Sequence, residues 1–219
     1  TIAAPPRLAE AFRTIARKPA FWLIAFGSAL GSTASYGVAF WIPSFYVRTF
    51  GMPLSQVTLL YAAVILCGGV AGIWLGAWLG DRFGPRRPGA YLAIPMFALF
   101  ASFPFFALAV MTTTPAMSLG LLLVPTMLGS MGFGTVLTAI QHVVPAALRS
   151  TASAMFLFIN NLIGLGLGSA VLGFISDALA REYGSQSLRY ALLAGSLFFI
   201  LAALMYLFAT RRVAKDWEA

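Results

Sequence analysis

The sequence predicts an all-α membrane protein, a bundle of six transmembrane helices, and three observations carry that prediction. Of 219 residues, 60% are hydrophobic and 9% charged, against roughly 25% charged in soluble domains. Six apolar runs contain no Asp, Glu, Lys or Arg. Each is long enough to cross a hydrocarbon core of about 30 Å at about 1.5 Å per residue. The basic residues sit in short clusters between those runs. So few charges cannot cover a water-facing surface, so the outer solvent must be the lipid bilayer. The net charge of +8 therefore does not describe a nucleic-acid binder, which would gather its basic residues on one face. A β-barrel would need alternating runs of about ten residues, and none is present.

Span 1 covers 21–42 and carries Ser28, Ser32, Thr33, Ser35 and Tyr36. Span 2 covers 54–80. Its glycines Gly68, Gly72, Gly76 and Gly80 recur every fourth residue, so they share one helical face and let another backbone approach closely. A fixed contact and a smooth sliding face both fit that pattern. Span 3 covers 89–111 and contains Pro95 and Pro104, and span 4 covers 117–141 and contains Pro125. Proline removes a backbone donor and bends a helix, which membrane helices tolerate when neighbours satisfy the freed groups; simple curvature and a flexing point both fit. Span 4 also holds Thr126, Thr135, Thr138 and Gln141, and it ends at His142, the sole histidine, expected as a structural hydrogen bonder beside Pro145. Span 5 covers 151–176, with Asn160, Gly164 and Gly168 at four-residue spacing and Asn161 alongside. An Asn amide goes unsatisfied in lipid, so this pair either lines a cavity or bonds another helix. Span 6 covers 190–210.

The loops fix the orientation. Arg7, Arg13, Arg17, Lys18, Arg82, Arg86, Arg87, Arg149, Arg211, Arg212 and Lys215 fall on one side of the bundle, and Arg48, Arg181 and Arg189 on the other. The positive-inside rule places both termini in the cytoplasm, as an even number of spans requires. The domain reading is a cytoplasmic lead-in over 1–19, the bundle over 20–212 and a cytoplasmic tail over 213–219. Arg outnumbers Lys, which points to a GC-rich bacterial source and to the inner membrane. The chain starts at Thr1 and not at Met, as a fragment or processed product would.

Gly68, Gly72 and Asp81 recur as Gly164, Gly168 and Asp177 at a constant offset of 96. Spans 2 and 5 run in opposite directions, so the recurrence predicts an inverted repeat of three plus three helices, a common transporter design.

The loop after span 2 reads Gly80-Asp81-Arg82-Phe83-Gly84-Pro85-Arg86-Arg87. It resembles the cytoplasmic loop motif of the major facilitator superfamily. It departs from that motif in two places: Ala77 stands where a leading glycine is expected, and Pro85 shifts the basic pair by one. The degraded motif, the lead-in and the missing start Met together imply the C-terminal six-helix half of a twelve-helix fold. Trp41-Ile42-Pro43-Ser44-Phe45 followed by Arg48, Leu148-Arg149-Ser150-Thr151-Ala152, Asn160-Asn161-Leu162-Ile163-Gly164 and Ser187-Leu188-Arg189-Tyr190 resemble Spinster-like members. That resemblance implies a secondary transporter working by alternating access on an amphiphilic or lipid-like small molecule, or on an organic anion or drug. A non-transporting receptor or assembly factor is the reading from another class.

The expected substrate pathway comprises Ser32, Thr33, Tyr36, Thr135, Thr138, Asn160 and Asn161, with Tyr36, Thr138 and Asn161 foremost. The expected cytoplasmic gate comprises Asp81, Arg82, Arg86, Arg87 and Arg149. In it Asp81 docks on the positive N-terminal end of span 5, which Ser150 and Thr151 are suited to cap. The lone Cys67 reads as a small apolar side chain. No cofactor is implied, no His/Cys/acid cluster suggests a metal, and no nucleophile with a paired base suggests an enzyme. With no carboxylate in any span, H+ coupling would have to reside in the N-terminal six-helix half, the expected partner of this one.

Overall fold

The computed structural model describes residues 8–218; Arg7 and the start of the lead-in lie outside them. Nine α-helices occur among the described residues: α1 Leu8–Ala16, α2 Pro19–Phe50, α3 Leu54–Phe83, α4 Ala90–Met111, α5 Pro115–Ser130, α6 Gly132–His142, α7 Arg149–Tyr183, α8 Ser187–Gly195 and α9 Leu197–Asp216. Five continuous helical segments are long and apolar enough to cross a membrane, and the last of them spans Ala146–Asp216, 71 residues. Run straight, those residues would extend about 107 Å, several times a bilayer core. They instead reverse at Gly184, whose φ of 50° is open to glycine at little steric cost. The path therefore crosses six times, with α5–α6 as the fourth crossing and α8–α9 as the sixth.

Two expected single helices are interrupted. The fourth breaks at Met131, whose N–H donates to the Leu128 carbonyl at 3.1 Å. Pro125, six residues before it, contributes no N–H of its own. Gly132 packs its backbone against Pro95 of α4, where an added Cβ would lie 3.0 Å from the proline Cβ. The sixth breaks at Ser196, whose N–H is shared between the Leu192 and Leu193 carbonyls and whose hydroxyl also donates to Leu193. The first crossing runs eight residues past its expected end, through Pro43, and stops at Gly51 in a left-handed cap that donates to the Val47 carbonyl.

The packing has internal symmetry. α2, the first crossing, packs on the fifth (α7) and the sixth (α9), while α5–α6, the fourth, packs on the second (α3) and the third (α4). Exchanging crossings one to three with four to six maps the first pattern onto the second. The glycines make the contacts. Gly68 and Gly72 press on Leu123, Thr126 and Met127 of the fourth crossing, and their counterparts Gly164 and Gly168 press on Ser32 and Thr33 of the first. Each three-helix copy thus lays the glycine face of its second helix on the first helix of the other copy.

Large apolar side chains remain exposed on the outer faces, among them Leu59, Trp74 and Trp78 on α3, Phe97 on α4 and Phe174 on α7. Apolar area on this scale needs lipid or a packed partner to cover it. At one end of the bundle the start of α2 and the end of α9 are tied together. Lys18 pairs with Glu218 at 2.7 Å, and Asp216 accepts from the Ala20 N–H at the start of α2. Trp217 lies between the rings of His142 and Tyr91. Residues 216–218 of the tail are thus packed down on the bundle.

Candidate functional site

A cavity of about 450 Å³ opens between α2, α3, α4, α5–α6, α7 and α9, within the usual range of about 300–1,000 Å³ for small-molecule sites. One wall is polar. It is built by Ser28, Ser32, Ser35 and Tyr36, which recur along one side of α2, and by Asn160 of α7. Ser28 and Ser32 each donate to Asn160 Oδ1 at 2.8 Å. The other walls are mainly apolar, with Leu99, Phe106, Leu122, Val136 and Phe199, and the Thr126 and Ser130 hydroxyls there donate back to the Leu122 and Thr126 carbonyls of their own helix. Pro95 and Pro125 line the same space, so both proline-bearing helices border it. None of the lining residues is charged.

Of the seven expected pathway residues, the structure gathers three at this cavity: Ser32, Tyr36 and Asn160. The other four lie elsewhere. Thr33 is buried, bonds to the Ala29 carbonyl, and offers its own carbonyl to the face of Gly168. Thr135 is buried, bonds to the Gly132 carbonyl, and sets its methyl against Gly80. Both are packing residues. Thr138 and Asn161 return their side chains to their own helices, bonding the Gly134 and Leu157 carbonyls. Such local bonds satisfy a polar side chain within a helix.

Tyr61 of α3 and Tyr206 of α9 line the cavity but were not expected there. In sequence each is an aromatic inside an apolar run, which reads as core. A polar residue on a single helix carries no signal that distinguishes a cavity wall from a helix contact.

The four glycines in register on α3, Gly68, Gly72, Gly76 and Gly80, are buried, and a Cβ on Gly72 or Gly76 would run into the carbonyls of Met127 and Met131. This close approach sets the position of α5 and α6, and with it the cavity wall that carries Thr126 and Ser130.

Residues 2–168 match the family model for the Major Facilitator Superfamily. The chain belongs to this superfamily. Among curated relatives it is 32% identical over 201 residues to an MFS-type efflux pump of Mycolicibacterium smegmatis, covering 91% of this chain and 47% of that protein. It is 26% identical over 216 residues to protein spinster homolog 3 of Danio rerio, covering 88% of this chain and 43% of that one. The fold is that of a bacterial homologue of the human lysosomal transporter Spinster, solved inward-facing and unoccupied. That match has a TM-score of 0.89 and 24% identity, over 97% of this chain and 52% of the other. This superfamily member is Spinster-like and multi-pass, and it spans about half the length of these relatives.

The superfamily loop motif sits at the end of α3, where Asp81, Arg82, Arg86 and Arg87 are all exposed. Asp81 has no hydrogen-bond or ion-pair partner among the described residues. The expected docking of Asp81 on the start of α7 is not formed. The reason is topological: α3 and α7 each pack on α6 but share no substantial contact. Arg149 instead turns back, its Nε donating to the Gln141 carbonyl at 3.1 Å. α7 begins without a side-chain cap, so Ser150 and Thr151 do not fill that role here.

Proposed function

We propose that this chain is the C-terminal half of a secondary active transporter that moves an amphiphilic or lipid-like small molecule by alternating access. The observation that carries the reading is the cavity itself, with a wall of serines, Tyr36 and Asn160, mainly apolar walls elsewhere and no charged lining residue. Such a space suits a molecule with a modest polar head and an apolar body, since a lone charge there would lose its hydration without a partner. In this reading the N-terminal six-helix half faces the cavity, and the two bundles rock about the site. H+ coupling, if used, resides in that other half, because no carboxylate or histidine lines this one. The bias of basic residues supports cytoplasmic termini in a bacterial inner membrane. The domain reading stands with this proposal: lead-in, bundle and tail.

The test is flux. Full-length protein reconstituted in liposomes should move a fluorescent lysophospholipid across the bilayer saturably. A second reading, export of a drug or organic anion, draws on the relative named an efflux pump at 32% identity. Flux of a labelled drug with none of the lysophospholipid would favour it.

A further inference from the structure

We infer that Asn160 is the specificity-determining residue of this cavity, held by Ser28 and Ser32 so that it recognises an oxygen acceptor on the substrate's head and rejects an acceptor-free cationic head. The inference rests on the proposed transport reading and sharpens it.

Ser28 and Ser32 stand one turn apart on α2, and both hydroxyls donate to the same atom, Asn160 Oδ1, at 2.8 Å. A carbonyl oxygen of this kind has two lone pairs, so the acceptor capacity of the amide is fully used. What remains is its NH2 group, which carries two donors and has no partner among the described residues. Asn160 lines the cavity, so those donors are the fixed polar handle of the space. A ligand that leaves them dry and unpaired binds poorly, because the loss of their hydration is not compensated. An ester, phosphate or hydroxyl oxygen compensates them. A quaternary ammonium head offers no acceptor, and no carboxylate in the lining attracts it.

The position is set by Gly164, one turn on along the same face of α7. A Cβ there would lie 2.6 Å from Ser32 Cβ. The missing side chain is what brings α7 near enough to α2 for the amide to reach both serines. Ser28 and Ser32 are therefore positioning residues, and Gly164 sets the spacing.

The experiment uses full-length protein in nanodiscs and two amphiphiles with matched twelve-carbon chains. Monolauroylglycerol has acceptor oxygens and no charge; dodecyltrimethylammonium has a charge and no acceptor. Binding is read by intrinsic tryptophan fluorescence, and folding by melting temperature. Asn160→Asp keeps an oxygen for both serines and removes both N–H donors. It should weaken monolauroylglycerol by roughly tenfold, the scale on which a site built to bond a group rejects its loss, and should leave dodecyltrimethylammonium equal or tighter. Ser28→Ala combined with Ser32→Ala keeps the donors but releases their aim, and should shrink the ratio between the two ligands without lowering the melting temperature as Gly164→Val would. If Asn160→Asp does not fold, the serine pair decides. An unchanged ratio in the foldable variant, or equal weakening of both ligands, overturns the inference and leaves the transport reading intact. Wild-type protein that binds neither amphiphile overturns both.

Discussion

Gly37 of α2 and Gly168 of α7 meet backbone to backbone: a Cβ on Gly37 would lie 2.6 Å from the Gly168 carbonyl oxygen, and a Cβ on Gly168 would lie 3.0 Å from the Gly37 nitrogen. This crossing joins the two three-helix copies, and the next helical turn toward the start of α7 holds Gly164 against Ser32. Helix association in lipid depends on such close packing more than on apolar burial. Gly168→Val should therefore lower stability by about 1–3 kcal/mol, the usual range for overpacking. Gly166→Ala, two residues away with nothing within 4 Å of its Cβ, should be neutral. Thermal unfolding of the detergent-solubilised protein separates the two. Equal effects would mean that the crossing is not tight.

The stack of Trp217 on His142, with ring centroids 4.7 Å apart, makes a second prediction. An aromatic pair adds about 0.5–1.5 kcal/mol beyond area burial. A part-exposed ion pair such as Lys18–Glu218 adds about 0–1 kcal/mol. Trp217→Ala should therefore loosen this end of the bundle more than Glu218→Gln. Limited proteolysis of the tail measures it, and faster cleavage in Glu218→Gln than in Trp217→Ala would contradict this ordering.

Orientation is testable at two serines. In a Cys67→Ala background, Ser185→Cys in the turn after α7 should react with a membrane-impermeant maleimide in intact cells. Ser150→Cys at the start of α7 should react only after permeabilisation. The reverse pattern would invert the proposed topology.

Asp81 is exposed and unpaired in this conformation. If the loop gates the cytoplasmic side in another state of the cycle, Asp81→Asn should shift cysteine accessibility toward the inward-open pattern without changing the melting temperature of the resting protein. An unchanged labelling pattern would sink the gate.

Much of the architecture is legible in the sequence because lipid imposes one rule: long apolar runs, with charge kept to the loops. The four-residue glycine register and the offset of 96 carry the repeat, since each marks a face and the direction of its helix. The site is less legible. Ser32 and Thr33 are adjacent and chemically alike, yet one lines the cavity and the other packs against Gly168. Only the rotation of α2 separates them. Tyr206 is hidden for the same reason, being an aromatic in an apolar helix. That Asp81 does not dock on α7 here is not legible either, because loop chemistry does not reveal which helices become neighbours. The closure of the termini joins Lys18 to Glu218 across 200 residues, beyond any local pattern.

The central claim is that this cavity is half of the substrate path, and a plug tests it directly. Gly129 lines the cavity and has nothing within 4 Å of its Cβ, so Gly129→Trp should fill the space without disturbing a helix contact. Lysophospholipid flux into liposomes should fall to the protein-free rate in Gly129→Trp while the melting temperature stays that of the wild type. Full flux in the well-folded plugged variant would show that substrate does not pass through this cavity.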